Sequence, residues 1–377
     1  MKLALLGADA TTLEIVRAAV LRGDTVAYGC ELNDRVAMLR EIVPGIELCD
    51  GWEELATGRL ADAVVVAREV SDLRRADQVV KLSQAGVPLL FSHPVFGDPL
   101  PYYEVELAQR EVGHAPVLPF LPARLNPATQ RFRRSLSDAG GQGGPRRFVL
   151  QRYLSAARPW TAREQLAHDA DLLRYCVGPV TEVAAFGPRA SDPATRELNV
   201  QLTTATGDSV TWTSEVTAGE PRGALTCKAH DKSTVLKMPD DGAWTIDGET
   251  VGDNPGSPPA VAVLNALEAA LTGKPVGLDI DDAIEAMTVV EAVDRSLRRR
   301  RTIQLRTERE SERETFRATM SAWGCVLLLL LTFSIPAVAL LVWLQVPWAS
   351  YIPHAVAVLL VVFLLAQLLI RVIPREE

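Results

Sequence analysis

Residues 1–31 read MKLALLGADATTLEIVRAAVLRGDTVAYGCE, and how this stretch is parsed decides the rest of the chain. The run KLALLG at 2–7 is short, apolar and closed by glycine, as a buried strand is. Thr11–Arg22 then places Leu13, Val16, Val20 and Leu21 at near-helical spacing, and Gly23 ends it. TVAYGC at 25–30 is a second strand. A strand, a glycine turn, a helix and a strand in direct succession open a parallel α/β sheet.

The alternation continues. Asp34–Ile42 reads as helix, Asp62–Ala67 (DAVVVA) as strand, Ser71–Gln84 as helix and PLLFS (88–92) as strand. A helix over 99–112 and a short strand over 115–121 follow. This order predicts a doubly wound parallel sheet covered by helices on both faces. After Pro122 the pattern changes. Strand-like runs at 147–154, 180–186, 198–205, 208–216, 224–229 and 233–238 are separated by short turns such as Thr206-Gly207-Asp208. Such hairpin signals predict an α+β domain with an open, mostly antiparallel sheet. Helices are expected at 161–177, 259–272 and 280–299.

The chain has 377 residues, enough for two domains and a further segment, and its net charge of −8 with no basic stripe excludes nucleic acid as a partner. The five cysteines, at 30, 49, 176, 227 and 325, show no CxxC and no His/Cys metal spacing. That predicts unpaired thiols in a reducing compartment and no metal site. The first apolar run is too short for a signal peptide. The C-terminal region is different in kind. From Ala318 to Ile370 there is no Asp, Glu, Lys or Arg. Trp323–Val346 and Ala355–Ile370 with its flanks are each long enough to cross a hydrocarbon core, which takes about 20 residues. Trp348 and Tyr351 mark the turn between them. Arginines at 298–301, 306, 309, 313, 317, 371 and 375 place both ends of this hairpin in the cytoplasm, so the expected location is the inner membrane with the lipid bilayer as a partner. The expected divisions are 1–122, 123–305, a charged stalk at 306–320 and two transmembrane helices within 321–373.

The first strand-to-helix turn, Gly7-Ala8-Asp9-Ala10-Thr11-Thr12, is where such folds receive an anion. Only one glycine is present, and Asp9 brings a carboxylate to the place of the phosphates. Thr11 and Thr12 can cap the helix and donate hydroxyl hydrogen bonds. Glu31 follows the second strand, where an acidic residue suits ribose hydroxyls and repels a 2′-phosphate. PLLFS ends in His93-Pro94.

This order of elements resembles the glucose–fructose oxidoreductase, inositol dehydrogenase and MocA (Gfo/Idh/MocA) family. Four stretches carry the resemblance: the N-terminal strand–turn–helix; AGVPLLFSHPV (85–95), similar to a segment ending in Glu-Lys-Pro; EQLAHDADLLRYCVGPVTEV (164–183), similar to an Asp-x-x-x-His-x-x-Asp-Leu-Leu helix followed by glycine and a strand; and DDAIEAMTVVEAVDRSLRRRRTIQL (281–305), similar to the closing helix and strand. The resemblance implies a Rossmann domain that binds NAD or NADP at Gly7, Asp9, Thr11, Thr12, Glu31 and Pro94, with NAD preferred because of Glu31. It implies a sugar or polyol-like alcohol or carbonyl as substrate, and a homo-oligomer through the second sheet. His168 falls on the family's acid/base histidine, with Asp171 one turn later and Glu164 one turn earlier. His93 stands where the family has a lysine, and an imidazole is mostly neutral at pH 7 where an ammonium is charged. Arg124, Asn126 and Tyr153 fall where such proteins line the cleft. Two functions are therefore expected: a membrane-anchored oxidoreductase in which His168 takes the proton and His93 assists, or a catalytically inactive descendant without cofactor that serves as a binding or protein-interaction module.

Overall fold

A computed structural model describes residues 1–57, 60–68, 72–113, 115–139, 145–155, 161–188, 197–219, 222–229, 232–240, 242–251, 259–305 and Leu344. The stalk at 306–320 and, apart from Leu344, the hairpin at 321–373 lie outside the described residues. Among the described residues no helix is long and apolar enough to cross a membrane.

The first half contains β1 (Lys2–Leu6), α1 (Ala10–Arg22), β2 (Thr25–Cys30), α2 (Val36–Ile42), β3 (Glu47–Leu48), β4 (Ala63–Val66), α3 (Asp72–Gln84), β5 (Leu89–Ser92), α4 (Leu100–Val112) and β6 (Val117–Phe120). These strands form one six-stranded sheet in the order β3-β2-β1-β4-β5-β6, and every pair is parallel. This is the doubly wound order with its ligand crevice at the C-terminal ends of the strands. AVVV of β4, LLFS of β5 and VLPF of β6 are buried along their whole length. Helices cover both faces, so no position on these strands needs to be polar.

Next come α5 (Pro122–Leu125), α6 (Pro127–Ala139), β7 (Arg147–Ser155), α7 (Ala162–Val177), β8 (Val180–Phe186), β9 (Leu198–Thr204), β10 (Ser209–Thr217), β11 (Arg222–Ala229), β12 (Lys232–Pro239), β13 (Thr245–Ile246), β14 (Glu249–Thr250), α8 (Pro259–Leu271), α9 (Ile280–Arg299) and β15 (Ile303–Gln304). The nine strands order as β14-β13-β12-β11-β7-β10-β9-β8-β15. All pairs are antiparallel except β7 with β10. Burial alternates along β7, with Phe148, Leu150, Arg152 and Leu154 buried. One face of the sheet therefore meets α6, α7 and α9, and the other carries the alternate residues.

The cysteines depart from the reading of the sequence. Cys30 and Cys49 form a disulfide, so these thiols are not unpaired. Parallel pairing of β2 with β3 brings the two Cα atoms to 4.9 Å, a separation that spacing along the chain does not reveal. Cys176 and Cys227 are free and buried, as expected of small hydrophobes. The helix expected at 259–272 is α8. It packs on α1, and Ala260, Val263, Leu264 and Leu267 share a buried cluster with Leu3, Leu5, Ile15 and Val16. Arg22 reaches the Asn265 carboxamide at 2.5 Å and the Glu268 carboxylate at 2.8 Å. The chain thus returns to close one face of the first sheet after building the second.

Candidate functional site

Gly7 ends β1 with φ +77°, which a side chain disfavours, and its N–H donates to the Cys30 carbonyl at 2.9 Å. In a dinucleotide fold the space above this glycine receives the pyrophosphate. Here a Cβ on Gly7 would lie 2.9 Å from the Arg75 guanidinium. Arg75, from α3, is 1% exposed. Asp9 is the N-cap of α1. Its Oδ1 accepts from the Thr12 N–H (2.6 Å) and the Thr12 hydroxyl (2.8 Å), and its Oδ2 accepts from the Ser92 hydroxyl (2.8 Å) and the Arg68 N–H (3.0 Å). The helix N-terminus therefore already holds an anion, one covalently part of the turn.

Glu31 is engaged too. Its Oε1 accepts from Arg74 at 2.5 Å and from the Gln78 amide at 2.9 Å, and its Oε2 lies 3.7 Å from Arg75. These residues do not fit a dinucleotide. A helix N-terminus favours an anion by up to about 2 kcal/mol. A second negative charge about 4 Å from the Asp9 carboxylate costs about 4 kcal/mol at an effective dielectric near 20, more than the helix N-terminus returns, while the Arg75 guanidinium over Gly7 offsets part of that cost.

The second cluster lies where β5 meets α7. The His93 and His168 rings stand edge to face with centroids 6.0 Å apart. His93 is 2% exposed and precedes a cis peptide to Pro94. Its Nε2 lies 3.3 Å from the Ala167 carbonyl. A carbonyl only accepts, so Nε2 carries the hydrogen and Nδ1 is a bare acceptor. Nδ1 is buried with no partner among the described residues. Burial, and then the nearness of His168, pull His93 down to about 3. Burial likewise pulls His168, which is half-buried, down to about 4, against the nearby carboxylates of Asp169 and Glu164. Both imidazoles are neutral at pH 7.

The other expected residues are arranged differently from one another. Glu164 completes a capping box at the start of α7, accepting from the Thr161 N–H at 2.9 Å, and pairs with Arg68 of the first domain at 2.8 Å. It does contribute charge near His168, but its oxygens are bonded to these partners. Asp171 is 1% exposed and bonded to Arg124, whose guanidinium also meets Asp282 at 2.6 Å. Asn126 accepts from the Ala128 N–H at 2.9 Å, at the head of α6. Tyr153 alternates with the buried residues of β7, and Arg222 lies over its ring at 4.9 Å. Thr12 is fully buried on Asp9, and Thr11 is half-buried. The expected residues thus meet in three separate pairs, His93 with His168, Arg124 with Asp171 and Asp9 with Thr12.

Sequence reasoning missed Arg68, Arg74, Arg75, Gln78 and Ser92. A signal existed in DLRRADQ, where Arg75 and Gln78 share a helix face with Val79 and Leu82. Arginine on a core-facing stripe is a buried cation in need of a partner. The partner, Glu31, lies far away in sequence.

The fold, a parallel six-stranded sheet followed by a mixed nine-stranded one, is shared with solved dehydrogenases and oxidoreductases. The chain superposes on a putative myo-inositol dehydrogenase from Sinorhizobium meliloti with a TM-score of 0.65, 16% identity, and coverage of 81% of this chain and 99% of that one. A WlbA dehydrogenase from Bordetella pertussis, in complex with NADH and UDP-GlcNAcA, gives a TM-score of 0.67 and 18% identity over 81% and 99% of the two chains. An aldose–aldose oxidoreductase from Caulobacter crescentus, complexed with glycerol, gives 0.62 and 18% over the same shares, 81% and 99%. No family model matches the chain. No curated protein matches it in sequence.

Proposed function

We propose that this chain is a non-catalytic binding module built on the sugar and polyol dehydrogenase scaffold. It holds a hydroxylated, sugar- or polyol-like molecule against the imidazoles of His93 and His168, without nicotinamide. The observation that carries this reading is the Asp9 carboxylate seated at the N-terminus of α1, with Arg75 over Gly7. The polarity of the second cluster agrees. A lysine ammonium donates to a carbonyl or alkoxide oxygen, whereas a bare Nδ1 accepts from an alcohol O–H and offers nothing to a developing negative charge. The apolar hairpin at 321–373 would hold the module at the inner leaflet. The test is titration of the full chain with NADH, followed by nicotinamide fluorescence, beside thermal-shift screening with a panel of polyols, aldoses and uronic acids. No saturable NADH binding at millimolar concentration, with stabilisation by a hydroxylated ligand that His93→Phe abolishes, supports it. Saturable NADH binding in the micromolar range overturns it.

A second reading, an NAD-dependent oxidoreductase on a sugar or polyol, is favoured by one observation. The fold brings His168 and the residue at the lysine position to a 6.0 Å ring separation, and structures of the same fold hold NADH beside a sugar nucleotide. It requires Asp9 and Arg75 to leave the turn, and the same titration decides between the two.

A further inference from the structure

We propose that Cys30 and Cys49 are a reversible thiol–disulfide site that pins the edge of the first sheet beside the Gly7 turn, independent of what the cleft holds. Cys30 is the last residue of β2, it is 1% exposed, and its carbonyl receives the Gly7 N–H. Cys49 follows β3 directly and is half-buried, so it is the more exposed residue of the pair. That asymmetry is the arrangement thiol exchange needs: an accessible sulfur to be attacked and a resolving one behind it.

Backbone pairing contributes little at this edge, which besides the disulfide is held by the buried side chains of Ile46 and Leu55. β3 has two residues, both exposed, registered only as Tyr28 with Glu47 and Gly29 with Leu48. One further backbone bond, from the Cys49 N–H to the Gly29 carbonyl at 3.1 Å, completes the backbone pairing. Glu31, with its bonds to Arg74 and Gln78, emerges at the same end of β2. Loss of the disulfide frees the edge strand at the mouth of the crevice and leaves the central strands intact.

The chemistry balances with a disulfide oxidant of the type RS–SR. The Cys49 thiolate attacks one sulfur of the oxidant and releases RS⁻, forming a mixed disulfide. The Cys30 thiolate then attacks Cys49 Sγ and releases the second RS⁻. Two thiols of the protein lose two electrons and two protons, and the oxidant leaves as two RSH. A dithiol reductant runs the sequence backwards. In a reducing compartment a disulfide of this kind is transient or sensing rather than structural.

The experiment uses the full chain, equilibrated without denaturant in mixtures of reduced and oxidised dithiothreitol. Differential alkylation with mass spectrometry reads the pairing, and hydrogen exchange reads segment 43–57. The expected result is a reversible transition joining the Cys30 and Cys49 peptides, while buried Cys176 and Cys227 stay unpaired throughout. Exchange at 43–57 rises at least tenfold on reduction, and Cys49→Ser reproduces the reduced pattern under oxidising conditions. The proposal is overturned if Cys30 and Cys49 stay thiols in oxidised dithiothreitol. It also fails if the bond resists native reduction, or if exchange at 43–57 is the same in both states.

Discussion

Replacing Asp9 by alanine removes, in one step, the acceptor of the Thr12 N–H, the Thr12 hydroxyl, the Ser92 hydroxyl and the Arg68 N–H. An N-cap alone contributes roughly 1 kcal/mol, and the stranded donors add to that. Asp9→Ala should lower stability by about 1–3 kcal/mol, read as a fall in the urea midpoint at constant slope. A tighter constraint applies at Gly223. A Cβ there would clash with the Arg152 guanidinium, which is fixed to the Asp169 carboxylate at 2.8 Å, where the Trp212 N–H also donates at 2.7 Å. Gly223→Ala should cost about 3 kcal/mol, because it displaces one member of a buried ion pair. The two imidazoles make stability depend on pH. Both have native values below the unfolded one near 6.5, so the unfolded chain takes up protons first as pH falls. Their stabilising effect is complete above about pH 6.5 and is lost as pH falls toward 4 and then 3. Asp171, which burial raises to about 6 against the pull of Arg124, acts in the opposite sense and softens the slope. Urea midpoints between pH 7 and pH 5 should therefore fall in the parent chain and fall less in His93→Gln.

At the scale of elements, periodicity was legible wherever one face is buried and the other wet. The helices at 161–177 and 280–299 emerge as Ala162–Val177 and Ile280–Arg299. The strands of the second sheet match their runs because Phe148, Leu150 and Leu154 alternate with exposed neighbours. The reading failed for α6, where three arginines and two serines obscure the stripe of Ala128, Phe132 and Leu136, and for β3, β13 and β14, whose two residues carry no period. The parallel pairing of β7 with β10 was also hidden. Its cause is the intervening α7 crossover, which returns the chain in the same direction. Packing of α8 gives a prediction at this scale. Leu264 is fully buried against the first sheet, so Leu264→Ala should cost about 2–5 kcal/mol. Hydrogen exchange should rise in α1 rather than in β7.

For the whole molecule, the disulfide joins residues 19 apart, and closing a loop of this length stabilises by about 3 kcal/mol through the unfolded chain. Reduction of the full protein should lower Tm by several degrees in calorimetry. Burial runs without a break from the α3–α4 side of the first sheet, through α9, to Trp212 in the second, so the two sheets should unfold in one transition. The proposed anchor at 321–373 carries its own test: the chain should stay with membranes after high-pH carbonate extraction and come off in detergent. Release by carbonate alone would remove the anchor.

By itself the sequence determined the parallel sheet, the alternating second sheet and the closing helix, because hydrophobic period is a local property that survives without partners. It also determined that position 93 is an imidazole and that the Gly7 turn contains a carboxylate. Only the tertiary structure decided what those groups do. It seated Asp9 on Ser92 and Arg68, laid Arg75 over Gly7, tied Glu31 to α3 and joined Cys30 to Cys49. Each of these contacts links residues that periodicity does not relate, and whether a charged group meets a ligand or its own chain depends on the neighbours folding supplies.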